Sequence, residues 1–295
     1  MTPPSEKTTT DTGSAGAEAE TAVRLRVDGT DVEVPAGASV LAACVSAGVD
    51  TPTICYAETL TPVNACRVCV VELEGSRTLI PACSRVAEDG MAIATDSERV
   101  RHSRKMVLEF LASGVDLSQA DDLAPWLDRY GADADRYGPD RERMNEPVRI
   151  EDELYIRDYD KCVLCYKCVE ACGDDAQHTY AIAVSGRGFG ARIATEFDAV
   201  LPESACVYCG NCVAVCPTNA LQFKTEFDLR QADRWKPEEQ TVTRTVCSYC
   251  GVGCNLELHV QDETIVKVTS PHDHEVTSGH LCIKGRFGWQ YVHGN

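Results

Sequence analysis

CVLCYKCVEAC, residues 162–172, returns 44 residues later as CVYCGNCVAVCP, residues 206–217, and this repeat decides how the rest of the chain is read. Each copy spaces its cysteines C-x2-C-x2-C-x3-C: Cys162, Cys165, Cys168 and Cys172, then Cys206, Cys209, Cys212 and Cys216. In that rhythm the first three thiolates hold one 4Fe–4S cluster and the fourth reaches across to the other. Cys216 is therefore expected to complete the set of Cys162, Cys165 and Cys168, and Cys172 that of Cys206, Cys209 and Cys212. A zinc site has no use for this rhythm twice over.

Two further sets flank the repeat. Upstream, Cys55, Cys66, Cys69 and Cys83 run C-x10-C-x2-C-x13-C. Two thiolates two residues apart can grip one iron and the outlying pair completes four ligands, which predicts a 2Fe–2S cluster. Structural zinc sites tend to use two tight pairs instead. Downstream, Cys247, Cys250, Cys254 and Cys282 run C-x2-C-x3-C-x27-C. A zinc ribbon is the alternative there, weakened by the three-and-one division, and a third 4Fe–4S cluster is the expectation. Sixteen of the seventeen cysteines are thus assigned. Cys44, inside an apolar helical pattern, reads as a small buried hydrophobe.

Composition fits a soluble, metal-stapled chain. A length of 295 residues implies two or more modules, and only 6% aromatic content implies several small cores that need staples. The first 22 residues show no apolar h-region and no twin arginine, so a reducing, cytoplasmic setting is expected, where thiols bind metal. No stretch approaches a membrane span. A net charge of −18 argues against a nucleic-acid surface and reads either as solubility or as a docking face for a basic partner.

The fold expected is α+β and multi-module. Residues 1–22 read as a disordered tail. In 23–96, VRLRV and VEV flank an Asp28-Gly29 turn, SVLAACVSAGV follows as a helix capped by Ser39, and CVVELEG and TLIPA supply later strands. Residues 97–149 form a mostly helical connector, with apolar Val100, Met106, Val107, Phe110 and Leu111 among charges. Residues 150–225 carry the repeat, 226–240 read as a charged linker, and 241–295 form a last module with strands LELHV and TIVKV. SGRGFG, residues 185–190, lacks the context of a phosphate loop.

VPAGASVLAAC, PTICY and NACRVCVVELEG resemble the 2Fe–2S domain at the start of the large iron-sulfur subunit of respiratory complex I and of NAD-linked formate dehydrogenases. The resemblance implies a ferredoxin-like beta-grasp fold, with Ala65 where the family usually has Gly. That family next carries a cluster held by one histidine and three cysteines. No cysteine lies between Cys83 and Cys162, so this cluster is expected to be absent and His102 to be a surface residue. RDYDKCVLCYKCVEAC, RGFGARI and CVYCGNCVAVCPTNAL resemble formate dehydrogenase alpha subunits, with Gly173 where Pro is usual. SYCGVGC and GHLCIKGRFGW resemble the amino-terminal 4Fe–4S domain of molybdopterin oxidoreductases. There a lysine at the place of Lys284 lies between cluster and pterin. His272, His274 and His280 read as loop residues.

Family members of full length continue for several hundred residues around a molybdenum or tungsten cofactor, so that part is expected on a partner chain or in a longer protein. The resemblance implies an electron-transfer subunit, with no catalytic residue of its own, between a molybdopterin-binding, formate-oxidising chain and a flavin- and NAD-binding chain. One alternative is the electron-entry subunit of a NAD-linked hydrogenase, for which CIKGRFG has no counterpart. Another is a zinc-bound scaffold or assembly protein.

Overall fold

A computed structural model of the chain describes residues 22–293. The expected tail lies outside them, apart from Ala22, which opens the first strand. Strands β1 (Ala22–Val27) and β2 (Thr30–Pro35) pair antiparallel with Val27 opposite Thr30. Only Asp28 and Gly29 make the turn, at φ 48° and 84°. Positive φ at both positions is what lets a two-residue loop follow the twist of its strands. Helix α1 (Val40–Ser46) starts where Ser39 Oγ accepts from the Ala42 amide at 3.2 Å.

Strands β3 (Val70–Leu73), β4 (Ile80–Pro81) and β5 (Ala92–Ala94) complete a sheet ordered β2-β1-β5-β3-β4. The β1–β5 pair is parallel and the others antiparallel. The central strand β5 has only three residues, too few for an alternation to be read from sequence. Its Ile93 joins Leu25, Val27, Val34, Val71 and Cys44 in the core beneath α1. Cys44 is fully buried, and burial raises its pKa, as for an inert apolar thiol.

Beyond the sheet, the connector is helical only in α2 (Glu98–Gly114) and α3 (Ala124–Tyr130). Helix α2 buries Val100, Leu108 and Ala112, whereas Phe110 is exposed and stacks on Tyr137. The repeat lies between β6 (Tyr155–Arg157) and β9 (Leu221–Phe223), which pair antiparallel and bring its two ends together. Within it are α4 (Lys167–Cys172), the hairpin of β7 (Ala183–Ser185) and β8 (Arg192–Ala194), and α5 (Asn211–Ala214). The glycine run is the tip of that hairpin. A Cβ on Gly186 would meet the Gly190 carbonyl at 2.2 Å.

The first part of the stretch expected as a linker is packed, whereas residues 231–234 and 236–239 are exposed. Helix α6 (Lys224–Gln231) buries Glu226, which pairs with Arg230 at 2.8 Å and with Lys267 at 3.1 Å. Strands β10 (Thr241–Val246), β11 (Asn255–Gln261) and β12 (Thr264–Thr269) form an antiparallel sheet with β10 on its exposed edge. Helix α7 (Ile283–Phe287) packs on β12. Among the described residues no helix is long and apolar enough to cross a membrane.

Candidate iron-sulfur sites

The repeat encloses two cavities, each rimmed by four thiols. Cys162, Cys165, Cys168 and Cys216 line one, with Tyr159, Ile193 and Leu221. Cys172, Cys206, Cys209 and Cys212 line the other, with Tyr155, Ile182 and Leu201. Backbone geometry is shared between the halves. Leu164 and Tyr208, 44 positions apart, have φ 51° and 56°, and Tyr166 and Gly210 have 67° and 70°. These left-handed residues turn the loop so that amides face sulfur. The Tyr208 amide donates to Cys206 Sγ at 3.4 Å, and from outside these turns the Ala181 amide donates to Cys172 Sγ at 3.3 Å.

The donor chemistry fits a polynuclear cluster. Burial pushes the Cys162 thiol up to about 12 and Cys165 to about 11, and raises Cys168 and Cys212 well above the usual thiol range. Such thiols stay neutral unless a metal supplies positive charge. Each set here surrounds a space rather than a point. Tyr155, 2% exposed, places its hydroxyl 3.1 Å from Cys206 Sγ. Tyr159 lines the other cavity, but its hydroxyl accepts from Arg157 at 3.1 Å.

Between α1 and β3, and in the turn after β4, the structure brings Cys55, Cys66, Cys69 and Cys83 together. Cys55 is held far below the usual thiol range by hydrogen bonds with Cys66 and Cys83 and by the amides of Cys66 and Ala65. Cys69 is lowered to about 7 by its bond with Cys83, while Cys66 and Cys83 are pushed up by the same contacts. Asn64 and Arg67 take positive φ, 58° and 62°, whereas Ala65 does not. Alanine therefore fits at 65 without the strain that a left-handed position would impose.

Cys247, Cys250, Cys254 and Cys282 meet at the end of the β10–β12 sheet. The Cys247 amide donates to the Cys254 carbonyl at 2.8 Å, and the charges of Cys247, Cys282 and Cys250 add to burial in raising Cys254. Cys250 and Cys282 are exposed. Lys284 is exposed on α7. His272 and His274 lie in the loop between β12 and α7, as does His280, whose ring nitrogens have no hydrogen-bond partner. His102 is exposed on α2.

Contacts between the modules put these sites in an order. Cys55 and Cys66 share one apolar cluster with Cys165, closed by Leu108, Leu123 and Tyr130. Thr61, in the Cys55–Cys66 loop, donates from its amide and hydroxyl to Asp175 at 2.6 and 2.8 Å. At the opposite end Phe287 enters the core of the repeat, stacked on Tyr155 with centroids 6.0 Å apart. Arg286, 0% exposed, donates to Asn211 Oδ1 at 2.9 Å and to the Cys209 carbonyl at 3.4 Å. Sequence reasoning missed Arg286, Phe287 and Asn211. The one available signal was an arginine placed directly before an aromatic and two residues after Lys284.

Three segments match domain families: residues 20–98 the 2Fe-2S iron-sulfur cluster binding domain, 161–220 the 4Fe-4S dicluster domain, and 240–294 the molybdopterin oxidoreductase Fe4S4 domain. By these matches the chain is similar, over three segments, to the cluster-binding domains of iron-sulfur proteins. Among curated relatives it is 32% identical to an NADH-quinone oxidoreductase component of Rhizobium meliloti and 34% identical to the alpha chain of an NADPH-Fe(3+) oxidoreductase of Geobacter sulfurreducens. It is 29% identical to a Staphylococcus haemolyticus protein named "Putative formate dehydrogenase". Each alignment covers 92% of this chain and 31% of the relative, so the chain spans under a third of the length of these relatives. A crystal structure of an NAD+-reducing NiFe-hydrogenase is similar at a TM-score of 0.58 and 26% identity, over 68% of this chain and 87% of that one.

Proposed function

We propose that this chain relays single electrons between a molybdopterin-binding chain that oxidises formate and a flavin- and NAD-binding chain. Cys55, Cys66, Cys69 and Cys83 hold a 2Fe–2S cluster in this reading. The two sets of the repeat and the set of Cys247, Cys250, Cys254 and Cys282 hold one 4Fe–4S cluster each. The clusters supply one-electron chemistry; the protein supplies thiolates, amide donors and burial. Electrons enter near Lys284, whose exposed ammonium faces the molybdopterin partner, cross the repeat and leave by the 2Fe–2S module.

The observation that carries this reading is the unbroken run of packing from Cys247 to Cys55. Arg286 and Phe287 join the last module to the set of Cys209 and Cys212, the two sets of the repeat interleave, and Cys165 shares a core with Cys55. Leu108 and its neighbours close the junction between these two modules. A hydrogenase subunit is the second reading, supported by the fold likeness. The match of residues 240–294 to the molybdopterin oxidoreductase domain favours the first.

The test is anaerobic purification of the full chain with whatever accompanies it, followed by iron, acid-labile sulfide, zinc, molybdenum and tungsten analysis and an assay of formate-dependent NAD reduction. A molybdopterin chain with that activity is the expected result. A nickel-iron partner without molybdenum moves the assignment to hydrogenase, and zinc in place of iron overturns both.

A further inference from the structure

Among the described residues the three largest fully buried side chains are arginines, each held differently. Arg157 meets the Glu151 carboxylate. Arg104 lies over the Tyr130 ring, 5.6 Å from its centroid, and donates to the Val70 carbonyl at 3.0 Å. Arg286 is buried completely and, among the described residues, bonds only neutral oxygens. These are Asn211 Oδ1 at 2.9 Å, the Cys209 and Gly279 carbonyls at 3.4 Å and the Val268 carbonyl at 3.5 Å. Three of the four contacts are long, and none brings negative charge.

Burial of a cation without a counter-charge is strongly unfavourable, and a guanidinium does not escape by losing its proton at neutral pH. The groups that bear on Arg286 are the sulfurs of Cys209, Cys212 and Cys282, which as cluster-bound thiolates would supply the missing negative charge. Cys209 and Cys212 belong to the second set of the repeat, Cys282 to the last set. Asn211, 2% exposed, anchors the guanidinium between them, since its Oδ1 also accepts from the Leu281 amide at 3.0 Å. One fixed positive charge thus stands where two thiol sets approach each other.

We propose that Arg286 is the shared counter-charge of these two cluster sites, a positioning residue that raises both reduction potentials at the module boundary. The inference rests on the iron-sulfur relay proposed above. A thiolate-ligated cluster becomes more negative when it gains an electron, so a fixed cation beside it favours the reduced form, the more so where water is excluded. Because Arg286 serves both sides, an electron crossing this boundary stays beside the same charge.

The test uses the full chain, purified anaerobically with its clusters, in three forms: wild type, Arg286→Lys, and a chain with citrulline at position 286, neutral and nearly isosteric with arginine. Each cluster is followed by redox titration monitored by electron paramagnetic resonance. Citrulline is expected to disfavour reduction at the two flanking sites by about tenfold, which is 59 mV for a one-electron couple. The Cys55 set and the set closed by Cys216 should stay within about twofold, and lysine should recover more than half of the shift. Loaded clusters with all four potentials unchanged, or shifted equally, overturn the proposal. So does loss of the Cys247-set cluster in both variants, which would make the role one of shape rather than charge. A wild-type chain holding zinc and no iron overturns the relay as well, whereas the preceding outcomes leave the relay standing.

Discussion

The two halves of the cysteine repeat follow the same path and face different neighbours. Tyr166 and Gly210 hold equivalent left-handed positions before α4 and α5. A Cβ on Gly210 would come within 2.8 Å of the Phe287 ring, while Tyr166 is free to carry a side chain. The halves also end differently. The Gly173 amide donates to the Val169 carbonyl at 2.8 Å, a bond that Pro217 at the end of the second copy cannot make. A sequence repeat therefore records two things: the ligand geometry the halves share, and the module against which each is pressed.

Exchange of ligands breaks the comparison most severely. If the sets interleave, Cys216→Ser removes the cluster of the first half's Cys162, Cys165 and Cys168, and Cys172→Ser removes that of the second. Iron content and the paramagnetic spectrum of each variant check this; loss of the cluster in the variant's own half would overturn the interleaving. Gly210→Tyr, which copies residue 166 into the second half, is expected to cost about 3 kcal/mol by overpacking against Phe287. Tyr166→Gly should stay within about 1 kcal/mol, because lost packing is offset by relief of left-handed strain. Denaturant unfolding separates the two.

Smaller effects sharpen the contrast. Tyr155→Phe deletes a hydroxyl beside Cys206 Sγ and should lower the potential of the second set alone, by roughly 30 mV, about threefold for one electron. Tyr159→Phe, whose hydroxyl is engaged by Arg157, should leave the first set unmoved. Acid should act on the last module before the repeat. Burial lowers His259 from 6.5 to about 4, and the ring bonds Thr269 Oγ1 at 2.9 Å. Its neutral form is the one favoured by folding, so this stability is fully present above pH 6.5 and is lost as pH falls through about 4. In melts between pH 7 and 4, His259→Gln should flatten the fall.

What the sequence disclosed and withheld follows from the range of the interactions. Cysteine spacing is local, and it groups the thiols as they lie around the two cavities. The Asp28-Gly29 turn and the Ser39 cap are local too. Strand β5 escaped notice because its central place depends on β1, some 65 residues away, rather than on its own three residues. Residues 226–240 read as linker because charge alone was visible; Glu226 is buried through Lys267, 41 residues further on. Arg286 resembled any surface arginine for the same reason, since its partners Asn211 and Cys209 lie in another module.

Thr61 and Asp175 are separated by 114 residues, and the core around Cys55 is closed by Cys165. A ribosome working at about 5–20 residues per second needs roughly five to twenty seconds to travel that far. Strands β3 to β5 are made within this interval, and once they complete the amino-terminal sheet one wall of its cysteine loop is still unmade. The loop therefore passes through an open stage on every round of synthesis, and arrival of the repeat shuts it.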